Sequence, residues 1–434
     1  MNNTPQITVG ILSDKEIEFS FSGNFLCSNN LIYNGTEKVI LENGKILFHN
    51  RCYENLAFSP ENEQCFFELK NVVIGKQFHW QKTENQCFNG TLKIIVEEQM
   101  LTAINKIDVE SYLKSVISSE MSAAASPELL KAHAVISRSW LLANTEEKQK
   151  EYEQKNEFSN AQFIKWYERD AHTNFDVCAD DHCQRYQGIA RQTNERVSQA
   201  VELTSGLVLT CEGEICDARF SKSCGGVTEL FENCWADVHF RYLEKVFDNE
   251  QLTDFNLDLT KNEDAEKFIC SSPDCFCNTN DRNILSQVLN NYDQQTTDFF
   301  RWQCEFTQQE ISEIIKRKSK IDFGQIVDLI PLKRGVSGRI VELQIVGTKH
   351  VTIVGKELEI RKWLSETHLY SAAFVVKRHN FLDNIPQRIV LRGAGWGHGV
   401  GLCQIGAAVM GEKGYTFEQI LAHYYKNSNL KKIY

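Results

Sequence analysis

The 434 residues include only 6 prolines and 4 methionines, and no Pro-rich or Gly/Ser-rich stretch divides the chain. Its structural units are therefore expected to join closely rather than hang on flexible linkers. No apolar run approaches the roughly 20 residues that a membrane-crossing helix needs. The opening residues Met1 to Gly23 alternate polar and apolar side chains and read as strands. They lack the basic segment and apolar stretch of an export signal. On that reading the protein either stays inside the cell or begins after a processing step. Positive charge is in deficit, with 47 Lys and Arg against 58 Asp and Glu, a formal net charge of −11. A domain built to bind nucleic acid is basic, so DNA and RNA are poor candidates for the main partner.

What is present supports a packed protein. Hydrophobic residues make up 42% and charged residues 24%, a composition that buries a core. The length suits two or three structural units. Residues 1 to about 100 read as β-rich. Short apolar runs such as 38–41, 45–48 and 66–74 are set off by turn signals, and Asn-Gly pairs at 34–35, 43–44 and 89–90 are hairpin signals. The period then changes. Val109, Leu113, Val116 and Ile117 recur at helical spacing up to Glu120, with Asp108 as a candidate cap. A second helix is expected over 127–144, with Ser126 as N-cap and Pro127 in the first helical position. The charged stretch 145–165 reads as a solvated helix or loop, and 191–240 as strands and turns. One helix is expected over 308–318, and 320–380 alternates as a further β unit. The fold class expected is α+β: a β-rich N-terminal region, a central helical segment, further β units and a C-terminal helix lining a groove.

Fifteen cysteines are a high and odd number. His172, Cys178, His182 and Cys183 fall within twelve residues. Four N/S ligands at that spacing suit a closed tetrahedral zinc site, structural because no position stays open. The alternative is two unrelated histidines beside two buried thiols. Cys211, Cys216, Cys224, Cys234, Cys270, Cys275 and Cys277 allow a second metal, crosslinks or free thiols. The segment 393–406 (GAGWGHGVGLCQIG) carries six glycines with His398 and Gln404. It lacks the order of a phosphate-binding loop. It reads either as a groove wall presenting His398 and Gln404 or as a loop packed over a sheet.

Three segments share a resemblance. YLKSVISSEMSAAASPELLKAHAVISRSWLLAN (112–144), ARFSKSCGGVTELFENCW (218–235) and GAGWGHGVGLCQIGAAVMGEKGYTFEQILAHYY (393–425) resemble, in the same order, motifs of the SpoIID/LytB family, stage II sporulation protein D and its relatives. RGVSGRIVELQI (334–345) is similar to the strand region before the last of them. The resemblance covers roughly 85–430. It implies a domain over 85–430 that follows the N-terminal region 1–84, with a metal loop at 166–190 and an insert near 250–320. The sequence departs from the family pattern at His133, Trp140, Cys224 and Cys403, where Gln, Tyr, Ser and Ser are usual, and in the turn after the glutamate.

The resemblance implies a peptidoglycan lytic transglycosylase acting on glycan strands that lack stem peptides. Glu120, in the SEM segment, is then the single acid/base, and His172, Cys178, His182 and Cys183 hold zinc. Arg138, Ser221, Ser223, Thr228, His398 and Gln404 are the candidate groove residues, with an ion-pair role in the fold as the other reading of Arg138. The same family contains amidase enhancers, so a glycan-binding partner of a cell-wall amidase is the alternative. A zinc-stabilised binding module with an internal role is a third. The substrate implies the cell envelope. A lytic transglycosylase lends one proton to the glycosidic oxygen and takes one from the C6 hydroxyl as a 1,6-anhydro ring closes. An acid of that kind is expected to have a raised pKa, and Val116, Ile117 and Met121 beside Glu120 suggest the apolar setting that would raise it.

Overall fold

The computed structural model describes residues 4–75, 81–122, 124–146, 156–159, 161–167, 172–180, 182–189, 195–250, 256–288 and 297–434. About half of the charged stretch at 145–165 lies outside the described residues, as do parts of the metal loop and of the insert. Strands and helices are both abundant, as the α+β expectation requires. No helix of the described residues is long and apolar enough to cross a membrane.

Period-two alternation builds the N-terminal region. In Glu16–Cys27 the residues Ile17, Phe19, Phe21 and Phe25 are buried between exposed neighbours. Phe21 stacks on Phe25 with ring centroids 4.3 Å apart, and Phe58 meets Phe21 at 5.2 Å. One eleven-stranded sheet collects these strands. Gln6–Asp14 pairs with Met100–Asp108, which pairs with Thr91–Glu97, and both pairings are antiparallel. The boundary expected at residues 84 and 85 falls inside this sheet, because Lys82–Phe88, Thr91–Glu97 and Met100–Asp108 all belong to it.

Of the three Asn-Gly pairs, one makes the expected hairpin. Asn43 and Gly44 both have positive φ and join strands whose ends, Glu42 and Lys45, are paired. Asn34-Gly35 lies inside the strand Ile32–Glu42, beside a register shift between Phe21 and Phe25. Gly90 separates two strands that do not pair with each other. A Cβ there would stand 2.4 Å from the Lys106 carbonyl oxygen, so close backbone approach is what demands glycine.

The last N-terminal strand runs directly into helix α1 (Val109–Glu120). Asp108 caps it, accepting a hydrogen bond from the Ser111 N–H at 2.9 Å. Val109, Leu113, Val116 and Ile117 are all fully buried, as their spacing predicts. Helix α2 (Pro127–Glu146) starts where expected, with the Leu129 N–H donating to the Ser126 hydroxyl. Arg138 on α2 donates twice to Glu110 near the start of α1, at 2.9 and 2.7 Å, and is completely buried. A third helix, α3 (Glu195–Leu203), occupies part of a region read as strands and turns. The expected helix at 308–318 appears at Gln308–Ser319 with a Thr307/Glu310 capping box. Within 320–380 three strands form as predicted and a fourth begins at Phe374, but Glu357–Trp363 is helical.

Three distant segments are tied together beneath the glycine-rich ending. Arg339 is fully buried. It donates to the Gly397 carbonyl at 3.2 and 3.1 Å, to the Cys224 carbonyl at 3.2 Å and to the Ser337 hydroxyl at 2.9 Å. Ser337 in turn donates to the buried Glu229 carboxylate at 2.6 Å, which also accepts from the N–H groups of Val336 and Ser337 and from Asn233. Gly399 has φ +79°, and a Cβ there would stand 2.4 Å from the Arg339 guanidinium. Removing one member of a buried charged network leaves its partners unsatisfied. Glu229→Ala is expected to destabilise the protein by about 3–5 kcal/mol, read as a lower midpoint in urea; an unchanged midpoint would mean that this network adds nothing to stability.

Candidate functional site

Glu120 ends α1 and is partly exposed, while Val116 and Ile117 one turn earlier are fully buried. Its carboxyl faces side chains from three other segments. These are Arg185 from the loop after Cys183, Lys222 from the turn after Ser221, and His133 from α2, with the Arg185 backbone N–H as a further donor. Burial is the largest single influence on this carboxyl and pushes its pKa up. Arg185, Lys222, His133 and the N–H together outweigh burial, and the pKa lies below the usual carboxylate value. The apolar environment expected from Val116, Ile117 and Met121 is not what sets it. Those side chains turn into the core, and the raised pKa expected from sequence is corrected to a lowered one.

His133 is wholly buried and pushed down to about 4, mainly by that burial. It is therefore neutral at pH 7, where Arg185 and Lys222 supply the permanent charge. Its two ring nitrogens are both engaged. Nδ1 lies 3.1 Å from the Ser137 hydroxyl, and Nε2 lies 3.2 Å from the Gln404 amide nitrogen. A neutral ring satisfies both if Nε2 accepts from Gln404 and Nδ1–H donates to Ser137. The glycine-rich ending thus reaches the glutamate through Gln404 and His133. Lys222 also donates to the Val288 carbonyl at 2.7 Å.

The remaining groove candidates separate. Ser221 and Ser223 lie beside Lys222 on extended backbone that pairs with Cys403 and Trp396. Both hydroxyl oxygens are buried without a hydrogen-bond partner. Gln404 is buried and acts on His133. Thr228 is not a groove residue: fully buried, it donates to the Glu244 carbonyl and accepts from the Val246 N–H. Arg138 is likewise removed from the groove. Its guanidinium is committed to Glu110, about ten residues and so roughly 15 Å along α1 from Glu120. His398 packs edge-on to Trp235 with ring centroids 4.6 Å apart. Burial first, then Arg219 and Arg339, drives its imidazole well below the usual range, and its Nδ1 accepts from the Val400 N–H.

Arg185, Lys222 and the neutral role of His133 were missed from sequence. Ser221 and Ser223, the candidates from this segment, flank Lys222 in sequence. Arg185 carried one usable signal, its position two residues after Cys183.

The loop before Arg185 brings His172, Cys178, His182 and Cys183 together, with one ligand atom of each within 4.8 Å of the others. Cys183 Sγ lies 3.5 Å from His172 Nε2 and 3.4 Å from His182 Nδ1, and Cys178 Sγ lies 3.9 Å from His182 Nδ1. Around a tetrahedral zinc with bonds of about 2.3 Å to sulfur and about 2.0 Å to nitrogen, such edges measure roughly 3.5 Å. The donor set therefore fits zinc in type, number and spacing. The loop docks on the N-terminal sheet, where Val177–Cys178 pairs in parallel with Val9 and Gly10. No disulfide joins any of the fifteen cysteines.

Residues 97–211 match a protein family described as stage II sporulation protein, and residues 229–401 match one described as a domain of unknown function (DUF8618). The match places a SpoIID domain at residues 97–211, and the chain is similar to members of the SpoIID/LytB family. Among its relatives is an uncharacterised protein of Brachyspira hyodysenteriae, 25% identical over 346 residues, 79% of this chain and 72% of the relative. The stage II sporulation protein D of Bacillus subtilis is 23% identical over 332 residues, 76% of each chain. The amidase enhancer of Bacillus subtilis is 24% identical over 339 residues, 73% of this chain but 40% of that longer protein.

The charges around Glu120 give a test by titration. Lys222→Met removes one of the two permanent cations, so Glu120 should titrate at higher pH than in the wild type, read from carboxyl carbon shifts by NMR. A carboxyl with a lowered pKa stabilises the fold above its unfolded-state value and loses that contribution as pH falls through the folded value. The variant should therefore show a smaller loss of stability in acid. An unmoved Glu120 titration would place Lys222 outside the site.

Proposed function

We propose that this chain acts on the bacterial cell wall as a peptidoglycan lytic transglycosylase, cutting glycan strands that lack stem peptides. The observation that carries the reading is the setting of Glu120. A single carboxyl, on a residue that keeps part of its surface open, stands at a helix end, and the segments that hold its neighbours include those that resemble the family's motifs. The relatives named for stage II sporulation and for amidase enhancement support a cell-wall role.

Glu120 acts in this reading as acid and then base. Its protonated form donates to the glycosidic oxygen as positive charge develops at C1 of the N-acetylmuramoyl sugar. Its carboxylate then accepts the proton of that sugar's C6 hydroxyl as the 1,6-anhydro ring closes. In the free protein the cations favour the carboxylate, which suits the second half of this cycle. A sugar lying over the exposed side of Glu120 excludes water. That adds to the desolvation already pushing the pKa up and favours the acid needed for the first half. Lys222 and Arg185 orient the carboxyl, and Gln404 holds His133 as a neutral wall. His172, Cys178, His182 and Cys183 would hold a structural zinc, whose chemistry is to fix the loop that carries Arg185.

The lowered pKa of Glu120 also favours a second reading, an amidase enhancer that binds glycan without cutting it. Incubation with amidase-treated peptidoglycan separates the two, since only a transglycosylase releases 1,6-anhydromuramyl ends unaided. Glu120→Gln should cut their formation by at least about 10²-fold, the lower range for loss of general acid/base catalysis, with the fold retained by circular dichroism. Wild-type rates in this variant would remove Glu120 from the chemistry. Absence of anhydro ends with the wild type, together with a stimulated amidase, would favour the enhancer. Cys183→Ser should lower the zinc content and the melting temperature together; an unchanged zinc content would exclude this loop as the metal site.

A further inference from the structure

A second cluster of ligating side chains lies apart from the glutamate and from the histidine–cysteine loop. Cys224, Asp248, Cys277 and Cys403 come from four separate parts of the chain and are all buried. One ligand atom from each lies within 4.8 Å of the other three. Cys224 Sγ and Cys277 Sγ are 3.7 Å apart. A disulfide needs about 2.05 Å. Two sulfurs bound to one tetrahedral zinc, at about 2.3 Å each, stand roughly 3.7 Å apart.

The surroundings treat the sulfurs as acceptors. The Cys224 N–H donates to Cys403 Sγ at 3.2 Å, the Gly406 N–H donates to the same sulfur at 3.5 Å, and the Gly226 N–H donates to Cys224 Sγ at 3.4 Å. A thiol accepts weakly, whereas a thiolate is the form that binds metal. Cys403 is also the N-cap of the helix Gln404–Glu412, whose first N–H groups favour a negative sulfur. Asp248 is oriented by its own donors. Oδ1 accepts from the Tyr424 hydroxyl at 2.6 Å and Oδ2 from the Cys277 N–H at 2.9 Å. Such outer donors are typical around metal-binding carboxylates. Arg301, which donates to the Gly225 carbonyl at 3.0 Å, brings one positive charge close to the cluster. In the metal-binding form, three thiolates and a carboxylate would exceed what one guanidinium can balance in a dry interior, where unbalanced charge is costly.

We propose that Cys224, Asp248, Cys277 and Cys403 form a second metal site that binds one structural zinc ion. Three thiolates select zinc over magnesium or calcium, and four protein ligands close the coordination sphere. The ion fastens the Cys224-Gly225-Gly226 turn and the start of the Gln404–Glu412 helix to Asp248 and Cys277. Gln404 follows Cys403 directly and contacts His133, so the ion steadies the same wall that faces Glu120. The site does not depend on the transglycosylase reading and stands equally in an amidase enhancer.

The test is the zinc content of the full-length chain after equilibration with zinc and desalting, measured by elemental analysis and native mass spectrometry. The wild type should hold two ions per chain. Cys277→Ser and Cys403→Ser should each hold one, retained in the histidine–cysteine loop. Cys183→Ser should also hold one, retained in the buried cluster. If the two cluster variants are insoluble, Cys183→Ser decides alone: one ion supports the site and none overturns it. Two ions in a soluble Cys277→Ser variant would overturn it. A loss of about 2 Da assigned to a Cys224–Cys277 disulfide in the freshly purified wild type would overturn it as well.

Discussion

A guanidinium shut away from water must have its N–H groups satisfied by the protein, and Arg339 meets that requirement by gathering pieces far apart in sequence. It takes carbonyls from Gly397 and Cys224 and, through Ser337, reaches Glu229. These residues come from three of the segments that resemble family motifs. Their common feature is thus a shared buried knot. The glycines of the ending serve the same constraint. Gly399 leaves room for Arg339, and a Cβ on Gly335 would stand 2.3 Å from the Glu229 carboxylate. Backbone approach this close permits no side chain.

Above that knot the site is assembled from the ends of elements. Glu120 is the last residue of α1, Lys222 follows a two-residue strand, Arg185 follows the Cys/His loop, and Gln404 opens a helix. Residues at such ends combine fixed backbone with freedom to point outward. Arg138 shows the contrast. It lies mid-helix, its guanidinium is used twice by Glu110, and nothing of it remains for a ligand.

How much could be read from the chain alone follows from the range of each interaction. Local rules worked where the deciding forces were local. Asp108, Ser126 and Thr307 cap helices, and the apolar face of α1 is buried as its spacing requires. Glu120 and the four residues of the histidine–cysteine loop were legible as a group because they lie close in sequence or in a recognisable motif. Rules failed where distant partners decided. Gly90 looked like a turn residue and is a contact residue. Glu357–Trp363 alternates like a strand and forms a helix. The pKa of Glu120 was misjudged because apolar neighbours in sequence are not its neighbours in space. Cys224 and Cys403 could be seen as departures from a family pattern, yet nothing in the sequence indicated that they meet each other, or that Asp248 joins them.

Those two departures have a physical logic once the coordinates bring them together. A serine at either position would offer a neutral hydroxyl to the same backbone N–H groups, and no cation would be needed. Cysteine at both, with Cys277 and Asp248 added, makes a set of four ligands that would carry negative charge in metal-binding form, where water cannot screen it. Arg301 answers part of that charge, and the three N–H donors answer a little more. The metal ion proposed for this cluster would answer the remainder. The same reasoning separates this cluster from Glu120, where a single carboxyl already has Arg185 and Lys222 for company. One group of acidic side chains is short of positive charge and the other has it in excess. That difference is the ground for proposing a bound ion at the buried cysteines and an exchangeable proton at Glu120.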